Sequence, residues 1–441
     1  MQAYFYTLAD YLETQLQAEE IYLCTFEGEQ SSFIRLNHAQ VRQAGHVVQY
    51  RLNLHLIHEQ RHALAQLTLS GDLSHDQTQL QALLTRLRQQ LPHLPPDPYL
   101  LYATEVWSTD DPGQDQLPRD ETVLTDILQT VAGQDFVGIY AGGPLLKGFA
   151  NSFGQRNWHS RYSFNLDWSR YHQQDKAVKC NYAGFNWVRS DFAAKVAATE
   201  TQLAILKQVP KTISPGQYRV YLAPAALYEI LQLLCWGGFG LKAQRTKQTP
   251  LLRMLEAPEQ SLDEQITLIE NTQAGMAPRF QDAGFMKPEQ VILIEQGRHH
   301  SALVSPRSAQ EYGIATNGAN SEEVPISLEL AAGTLASDEI LKTLDTGIYI
   351  NNLWYLNYSD RAGGRMTGMT RFATFWVERG EIVAPLNVMR FDETLYHLLG
   401  DKLIALTAKR DFIMDTDTYE QRAVSTAQLP GALIEGFTLT L

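Results

Sequence analysis

The sequence YRVYLAPAALYEILQLL, residues 218–234, predicts a strand that leads directly into a helix. Its first five residues, YRVYL, contain two tyrosines and a valine, residue types that are typical of a strand. Pro224 has the fixed φ angle that suits the first turn of a helix. Apolar residues then recur at helical spacing, which predicts one buried helix face: Ala226, Leu227, Ile230, Leu231 and Leu234.

The Leu-Tyr-Glu at the start of this helix resembles the metal-binding helix of the TldD/PmbA peptidase family. Catalytic members of that family carry His-Glu-x-x-x-His there, in which the histidines hold zinc and the glutamate is the general base. On this sequence the motif falls on Tyr228, Glu229 and Leu233. A zinc site needs about three protein ligands with nitrogen, sulfur or oxygen donors, and leucine has none. The resemblance therefore implies a peptidase fold that has lost its usual metal centre.

The resemblance covers nearly the whole chain and is strongest after Tyr218. It includes a C-terminal hairpin core with GEIVAP at residues 347–391 and a Gly-containing block at residues 291–320. It also includes an Asp-x-Gly turn at residues 279–285 and the closing strands at residues 419–440. The N-terminal half is similar more loosely, through residues 31–45 and 150–154. The catalytic branch also supplies a late cysteine ligand, whereas no cysteine follows Cys235 here. This departure matches the PmbA (TldE) branch, whose members lack the metal site and work beside a TldD-type subunit.

Glu229 keeps the position of the family's general base. Without a metal-bound water of lowered pKa, a lone carboxylate has only a poor nucleophile to activate. Tyr228 has the size to fill the volume that the metal and its ligand would leave. We therefore favour a structural role for Tyr228 and Glu229 over residual catalysis.

The composition is that of a large globular protein without a nucleic-acid-binding surface. The 441 residues include 36 Lys and Arg against 49 Asp and Glu, a formal net charge of −13. Proteins that bind nucleic acid need clustered basic residues, and none occur here. No apolar run approaches the roughly 18 residues of a membrane span. The acidic first 20 residues are unlike a secretory signal and the three cysteines are widely spaced, so we expect a cytoplasmic protein.

Residues 58–62, HEQRH, match the zinc-protease pattern HExxH. That chemistry requires a helix, so that two imidazoles one turn apart share the metal and the glutamate polarises its water. Residues 48–56 instead alternate between apolar and polar, and residues 67–69 resume a strand-like pattern. The pattern favours an exposed hairpin tip. Metal binding by His58, Glu59 and His62 stays open as the alternative.

The predicted fold class is α+β. We expect an N-terminal α/β domain over residues 1–215 and a C-terminal domain, mainly of antiparallel sheet, over residues 216–441. The degenerate metal-site helix, residues 224–234, begins the second domain, and the Pro- and Gly-containing segment 209–217 is the predicted boundary. Two details are also predicted: an opening helix from Leu8 to Glu20, and capping of a later helix by Ser190.

The resemblance implies a metal-free subunit of the TldE/PmbA type in a TldD-type metallopeptidase system. Such a subunit needs no cofactor, and shapes the channel through which unfolded peptide reaches zinc on a partner. The expected assembly is a homodimer or a heterodimer with a zinc-bearing TldD-like subunit. Two alternatives remain open: a self-sufficient zinc peptidase using His58, Glu59 and His62, and a non-enzymatic homodimeric peptide-binding protein.

Overall fold

The computed structural model describes residues 1–173, 176–257 and 259–440. Its strands form two sheets, one of seven strands in the N-terminal half and one of eleven in the C-terminal half. Both sheets are mainly antiparallel, and the helices pack on them rather than alternate with parallel strands. The predicted α+β class is therefore confirmed. None of the helices in these parts of the chain is long and apolar enough to cross a membrane.

The first sheet is a meander in the order β3-β2-β1-β5-β6, to which β7 and the short β4 add at β6. Its strands are β1 (Glu20–Asn37), β2 (Gln40–His58), β3 (Arg61–Thr68), β4 (Asp110–Asp111), β5 (Phe136–Asn151), β6 (Arg156–Gln173) and β7 (Lys176–Gly184). The helices of this half are α1 (Gln2–Gln15), α2 (Leu73–Gln90), α3 (Asp120–Thr130) and α4 (Arg189–Leu206), with a 3-10 turn at Leu91–His93.

The two faces of the first sheet have different neighbours. Cys24 and Phe26 of β1 face helices α1 and α2 and are fully buried with them. Because side chains alternate along a strand, Leu23 points the other way. There it packs with Phe149 of β5 and with Phe280 from the C-terminal half. The sheet is thus covered by its own helices on one face and by the second half of the chain on the other.

The second half carries the larger sheet. Its strands are β8 (Gly216–Leu222), β9 (Leu268–Asn271), β10 (Gln290–Glu295), β11 (Arg298–His299), β12 (Ser327–Leu330), β13 (Gly347–Asp360), β14 (Arg365–Glu378), β15 (Glu381–Pro385), β16 (Arg390–Thr394), β17 (Leu403–Met414) and β18 (Thr426–Leu439). Its helices are α5 (Pro224–Cys235), α6 (Leu241–Arg245), α7 (Leu252–Glu256), α8 (Pro306–Tyr312) and α9 (Ile340–Leu344), with a 3-10 turn at Ser337–Glu339 and a π turn at His397–Asp401.

Helix α5 lies against a closed ring of strands. The ring runs β8-β13-β14-β16-β18 and closes because β18 also pairs with β8. Pro224 occupies the first turn of α5, as predicted. The predicted apolar face is buried in the largest core cluster of the described chain, together with residues of the ring such as Ile348 and Phe391. The strand–helix prediction for residues 218–234 is therefore confirmed.

Two local predictions are wrong. The opening helix spans Gln2–Gln15 rather than residues 8–20, because Phe5 packs on Phe26 and Trp158 and anchors an earlier start. The backbone at Leu16 is extended and ends the helix. Helix α4 begins at Arg189, so Ser190 lies inside its first turn. The carbonyl of Val188, not the Ser190 hydroxyl, accepts from the first free amides.

The division of the chain at residue 215 stays a prediction. The change from the first sheet to the second does fall between β7 and β8. The halves nevertheless share apolar contacts, since Val178 of β7 and Leu206 of α4 pack against Phe375 of β14.

Candidate functional site

On helix α5, the motif positions Tyr228, Glu229 and Leu233 lie partly in the apolar core and partly beside a cleft. Leu233 is only 9% exposed and belongs to the apolar core. Tyr228 is partly buried against that core and accepts a hydrogen bond from Gln232, one turn further along the helix. Glu229 is exposed to the cleft, which Tyr228 and Gln232 also line. The motif positions therefore give this chain one carboxylate and no imidazole.

The cleft has a volume of about 430 Å³ and lies between the two halves of the chain. We call it the α5 cleft. Its walls come from α5, from β7 and α4 of the first half, and from β13 and β17 of the second, through residues such as Glu229, Lys179, Lys195, Asn351 and Asp411. A cleft between two packed units is a common place for a ligand site.

The α5 cleft contains two pairs of a lysine and an aspartate. The Lys179 ammonium lies 3.5 Å from Asp167, and the Lys195 ammonium lies 3.8 Å from Asp411. Burial raises the pKa of Glu229, while the charge of Lys179 lowers it. Burial likewise raises the pKa of Asp167 against the effect of Lys179. The cations thus help to keep carboxylates charged in a partly desolvated place.

Neutral amides complete the lining. The Asn351 amide donates to the backbone oxygen of Lys179, at 3.0 Å, and to Asn352, at 2.7 Å. Asn181 and Gln232 add further amide groups. Side-chain amides both donate and accept, so they match the alternating N–H and C=O groups of an extended peptide. Burial raises the pKa of the Cys180 thiol to about 11, so this cysteine is protonated at neutral pH and is a weak nucleophile. The cleft therefore offers hydrogen-bonding groups, and Cys180 is not a ready nucleophile within it.

The residues on α5 do not fit the zinc that the family fold implies. Leu233 has no donor atom, and its side chain packs in the apolar core. Burial raises the pKa of the Tyr228 phenol far above neutrality, so it is not available as an anionic ligand. No group of three or more His, Cys, Asp or Glu residues within residues 1–173, 176–257 and 259–440 is placed to hold a metal ion.

The HEQRH segment forms a hairpin tip, as predicted. His58 ends β2, Arg61 begins β3, and Glu59 occupies the turn with a φ of 55°. In the register His58 is opposite Arg61, and Ile57 is opposite His62. Cross-strand partners share a face and neighbours in a strand do not, so His58 and His62 lie on opposite faces. The structure therefore does not bring the two histidines of the alternative zinc site together.

The sequence alone did not predict that these lysines and aspartates line the α5 cleft. They come from elements as far apart in the chain as β6 and β17, so no spacing motif connects them. The available signal was weak: Lys179 and Asp411 are charged residues inside strands that also carry buried apolar positions.

The family comparison and the structural comparison indicate the same family fold. Residues 215–441 match the family model described as the PmbA/TldA metallopeptidase C-terminal domain. No match was found among curated protein sequences. The fold is similar to that of TldE from Thermococcus kodakarensis, with 13% identity, a TM-score of 0.77, and coverage of 99% of this chain and 100% of that one.

Two further solved structures share the fold. One is a putative modulator of a DNA gyrase from Thermotoga maritima, with 13% identity, a TM-score of 0.76 and coverage of 99% and 100% of the two chains. The other is a putative modulator of DNA gyrase from Bacteroides thetaiotaomicron, with 14% identity, a TM-score of 0.77 and coverage of 99% and 98%.

Proposed function

Because the chain belongs to the PmbA/TldD metallopeptidase family, we propose that it is a metal-free subunit that works beside a zinc-bearing partner of the same family. The observation that carries this proposal is the state of α5. The helix keeps Glu229 beside the cleft but has Tyr228 and Leu233 where the family's catalytic members have zinc ligands. The structural likeness to a protein named TldE supports the same branch.

We propose that the α5 cleft guides an unfolded peptide toward the zinc site of the partner. Its amides suit the peptide backbone, and its charged groups of both signs suit side chains of either sign. A chain without secondary structure exposes all of its backbone groups, so it can use such a cleft without a fixed sequence.

The proposed partner surface is a group of aromatic and arginine side chains, three of them exposed, which we call the aromatic patch. Its members are Trp236, Trp354, Tyr355, Tyr358, Arg361 and Arg371. Trp236, Trp354 and Tyr355 are exposed, and Tyr355 reaches 76%. Tryptophan, tyrosine and arginine are the residues that most often dominate binding energy at protein interfaces. The patch extends the LWYLNY segment, 353–358.

The aromatic patch is attached directly to the end of α5. The Tyr358 hydroxyl donates to the backbone oxygen of Leu233 at 2.8 Å. The Arg361 guanidinium lies 4.2 Å from the ring centre of Trp236, the residue that follows the helix. A subunit docked on the patch would therefore lie at the end of the degenerate helix, which supports a substrate path shared by two subunits.

The test is reconstitution with a family member that carries an intact His-Glu-x-x-x-His motif. We expect this chain alone to leave an unstructured fluorescent peptide uncleaved, and the mixed complex to cleave it. Glu229→Gln in this chain should leave the complex able to cleave the peptide, whereas the matching Glu→Gln change in the partner should abolish cleavage. Cleavage by this chain alone that is lost in Glu229→Gln would overturn the proposal.

The same experiment addresses the non-enzymatic alternative. A stable homodimer that binds the peptide and ignores every motif-bearing homologue would favour a peptide-binding protein without a peptidase role. The cysteines Cys24, Cys180 and Cys235 are unpaired, which suits a reducing compartment. We therefore also propose that the complex works in the cytoplasm.

A further inference from the structure

A second cavity, of about 490 Å³, lies where β1, β2, β3 and β5 face loops of the C-terminal half. It shares no lining residue with the α5 cleft. Its volume falls within the ~300–1,000 Å³ that is usual for small-molecule sites. The polar residues of this cavity divide into those that have a protein partner and those that do not.

Two groups of charges in the cavity are satisfied by the protein. Lys147 of β5 forms a salt bridge with Glu27 of β1. Asp97 accepts from Arg307 at 2.6 Å and lies 3.1 Å from the His62 ring, which in turn lies 2.8 Å from His55. Since these charges already compensate one another, a ligand gains little from them.

Lys287 is different. Its side chain is only 9% exposed and lines the cavity. Its ammonium makes no hydrogen bond or salt bridge with any residue within the described ranges. The buried carboxylate of Glu270, whose charge acts on Lys287, is engaged by the backbone amides of Ile326 and Ser327, both at 2.9 Å. Because most of the side chain is removed from water, an anion bound in the cavity would stabilise the charge of the ammonium.

Asp282 carries the opposite charge in the same cavity. It lies in the turn closed by Gln281 and Phe285, and its carboxylate has no hydrogen bond or salt bridge within the described part of the chain. The side chain is open to the cavity, yet the protein packed around it desolvates the carboxylate and so raises its pKa. The charges of Lys287 and Lys147 act on Asp282, but no contact joins them. The cavity thus holds one unpaired cation and one unpaired anion.

We propose that this cavity, the lysine–aspartate cavity, binds a zwitterion with a free α-amino and a free carboxylate group, namely an amino acid or a short peptide. The ligand carboxylate pairs with Lys287 and the ligand ammonium pairs with Asp282. A simple anion would pair with Lys287 but be repelled by Asp282. A simple cation would pair with Asp282 but be repelled by Lys287. The inference does not depend on the proposed peptidase partner, because both residues and the whole cavity belong to this chain.

The first test uses the wild-type protein and calorimetric titration with trialanine, N-acetyl-trialanine, trialanine amide and alanine. Each blocked peptide loses one terminal charge and keeps its length. Because each terminus makes a charge-assisted hydrogen bond, we expect either block to weaken binding by about tenfold or more. Binding of alanine in place of trialanine would identify a free amino acid as the ligand.

The second test assigns the charges to their residues. The Lys287→Met protein should bind trialanine more weakly than the wild type does, and should bind trialanine and trialanine amide equally well. The Asp282→Asn protein should also bind trialanine more weakly, and should bind trialanine and N-acetyl-trialanine equally well. Lys342→Met, at an exposed lysine outside the cavity, is the matched control and should bind like the wild type.

Three results would overturn the proposal. In the first two, the wild type leaves both alanine and trialanine unbound, or it binds the free and blocked peptides equally well. Alternatively, both substituted proteins would keep the wild-type preference for free termini. The titrations of the wild type need no substitution, so a variant that fails to fold leaves the test intact.

Discussion

Arg422 and Glu29 form a buried charge pair that joins the two halves of the chain, with Arg422 Nε 3.7 Å from Glu29 Oε1. Their side chains are 5% and 1% exposed. The guanidinium also donates to the backbone oxygens of Gly143, at 2.7 Å, and Ser163, at 3.1 Å. Burial lowers the pKa of Arg422 to about 10, which leaves it charged at neutral pH. The segment before β18 is thereby held on the first sheet.

We expect Arg422→Met to destabilise the protein by about 3–5 kcal/mol, because it leaves the Glu29 carboxylate buried without its cation. The midpoint of urea unfolding measures the change. The double variant Glu29→Gln/Arg422→Met should lose less than the sum of the two single variants. Lys342→Met, which removes an exposed pair with Glu339, is the control and should cost under about 1 kcal/mol. A loss for Arg422→Met as small as that of the control would contradict this account.

Zinc content tests the interpretation of α5 and of the hairpin tip. We expect protein purified without chelator to hold far less than about one zinc per chain, since Tyr228 and Leu233 offer no suitable donors and a zinc site needs about three. Elemental analysis measures this directly. His58→Ala is the informative variant: stoichiometric zinc that disappears with this substitution would establish the hairpin histidines as ligands.

The stability of the protein should fall in mild acid, partly because of His55. Burial, with the charge of His62 as a second cause, lowers the pKa of His55 to about 4. An unfolded chain protonates histidine near pH 6.5. Between about pH 6.5 and 4 the unfolded state therefore binds more protons, and the free energy of unfolding decreases as the pH falls.

The variant His55→Gln removes this titration while keeping a side-chain donor for His62. Unfolding at several pH values should show a slope smaller than that of the wild type by up to about 1.4 kcal/mol per pH unit. Some slope should remain, because burial also lowers the pKa of His159 to about 4. His38→Gln, at an exposed histidine, is the control. An unchanged slope in His55→Gln would show that His55 does not titrate in this way.

Association should depend on the aromatic patch. We expect a dimer at micromolar concentration, either of two copies or with the motif-bearing homologue, that buries more than about 1,200 Å². Trp354→Ser with Tyr355→Ser should weaken it by about tenfold or more, because buried aromatic anchors dominate such interfaces. Sedimentation measures both effects, and Val209→Ser is a control at an exposed apolar residue outside the patch. A monomer of 49.8 kDa that ignores the homologue would contradict the prediction.

Features that depend on neighbouring residues were predictable. The apolar spacing in residues 218–234 predicted α5. The alternation of apolar and polar residues before His58 predicted a hairpin, although the HExxH pattern by itself is typical of a zinc-binding helix. The missing donor at Leu233 is likewise a matter of residue type. The start of α1 was not predictable, because it depends on Phe5 packing against Trp158, more than a hundred residues away.

The sequence by itself thus determined the local elements, the family resemblance and the absence of ligands at Tyr228 and Leu233, since periodicity and donor chemistry are properties of the residues in place. Only the tertiary structure decided which distant residues meet. It brought Lys179 of β7 into the cleft with Glu229 of α5, and it left Lys287 and Asp282 unpaired in one cavity. The physical reason is that burial and the pairing of charges are set by elements that pack together from far apart in the chain.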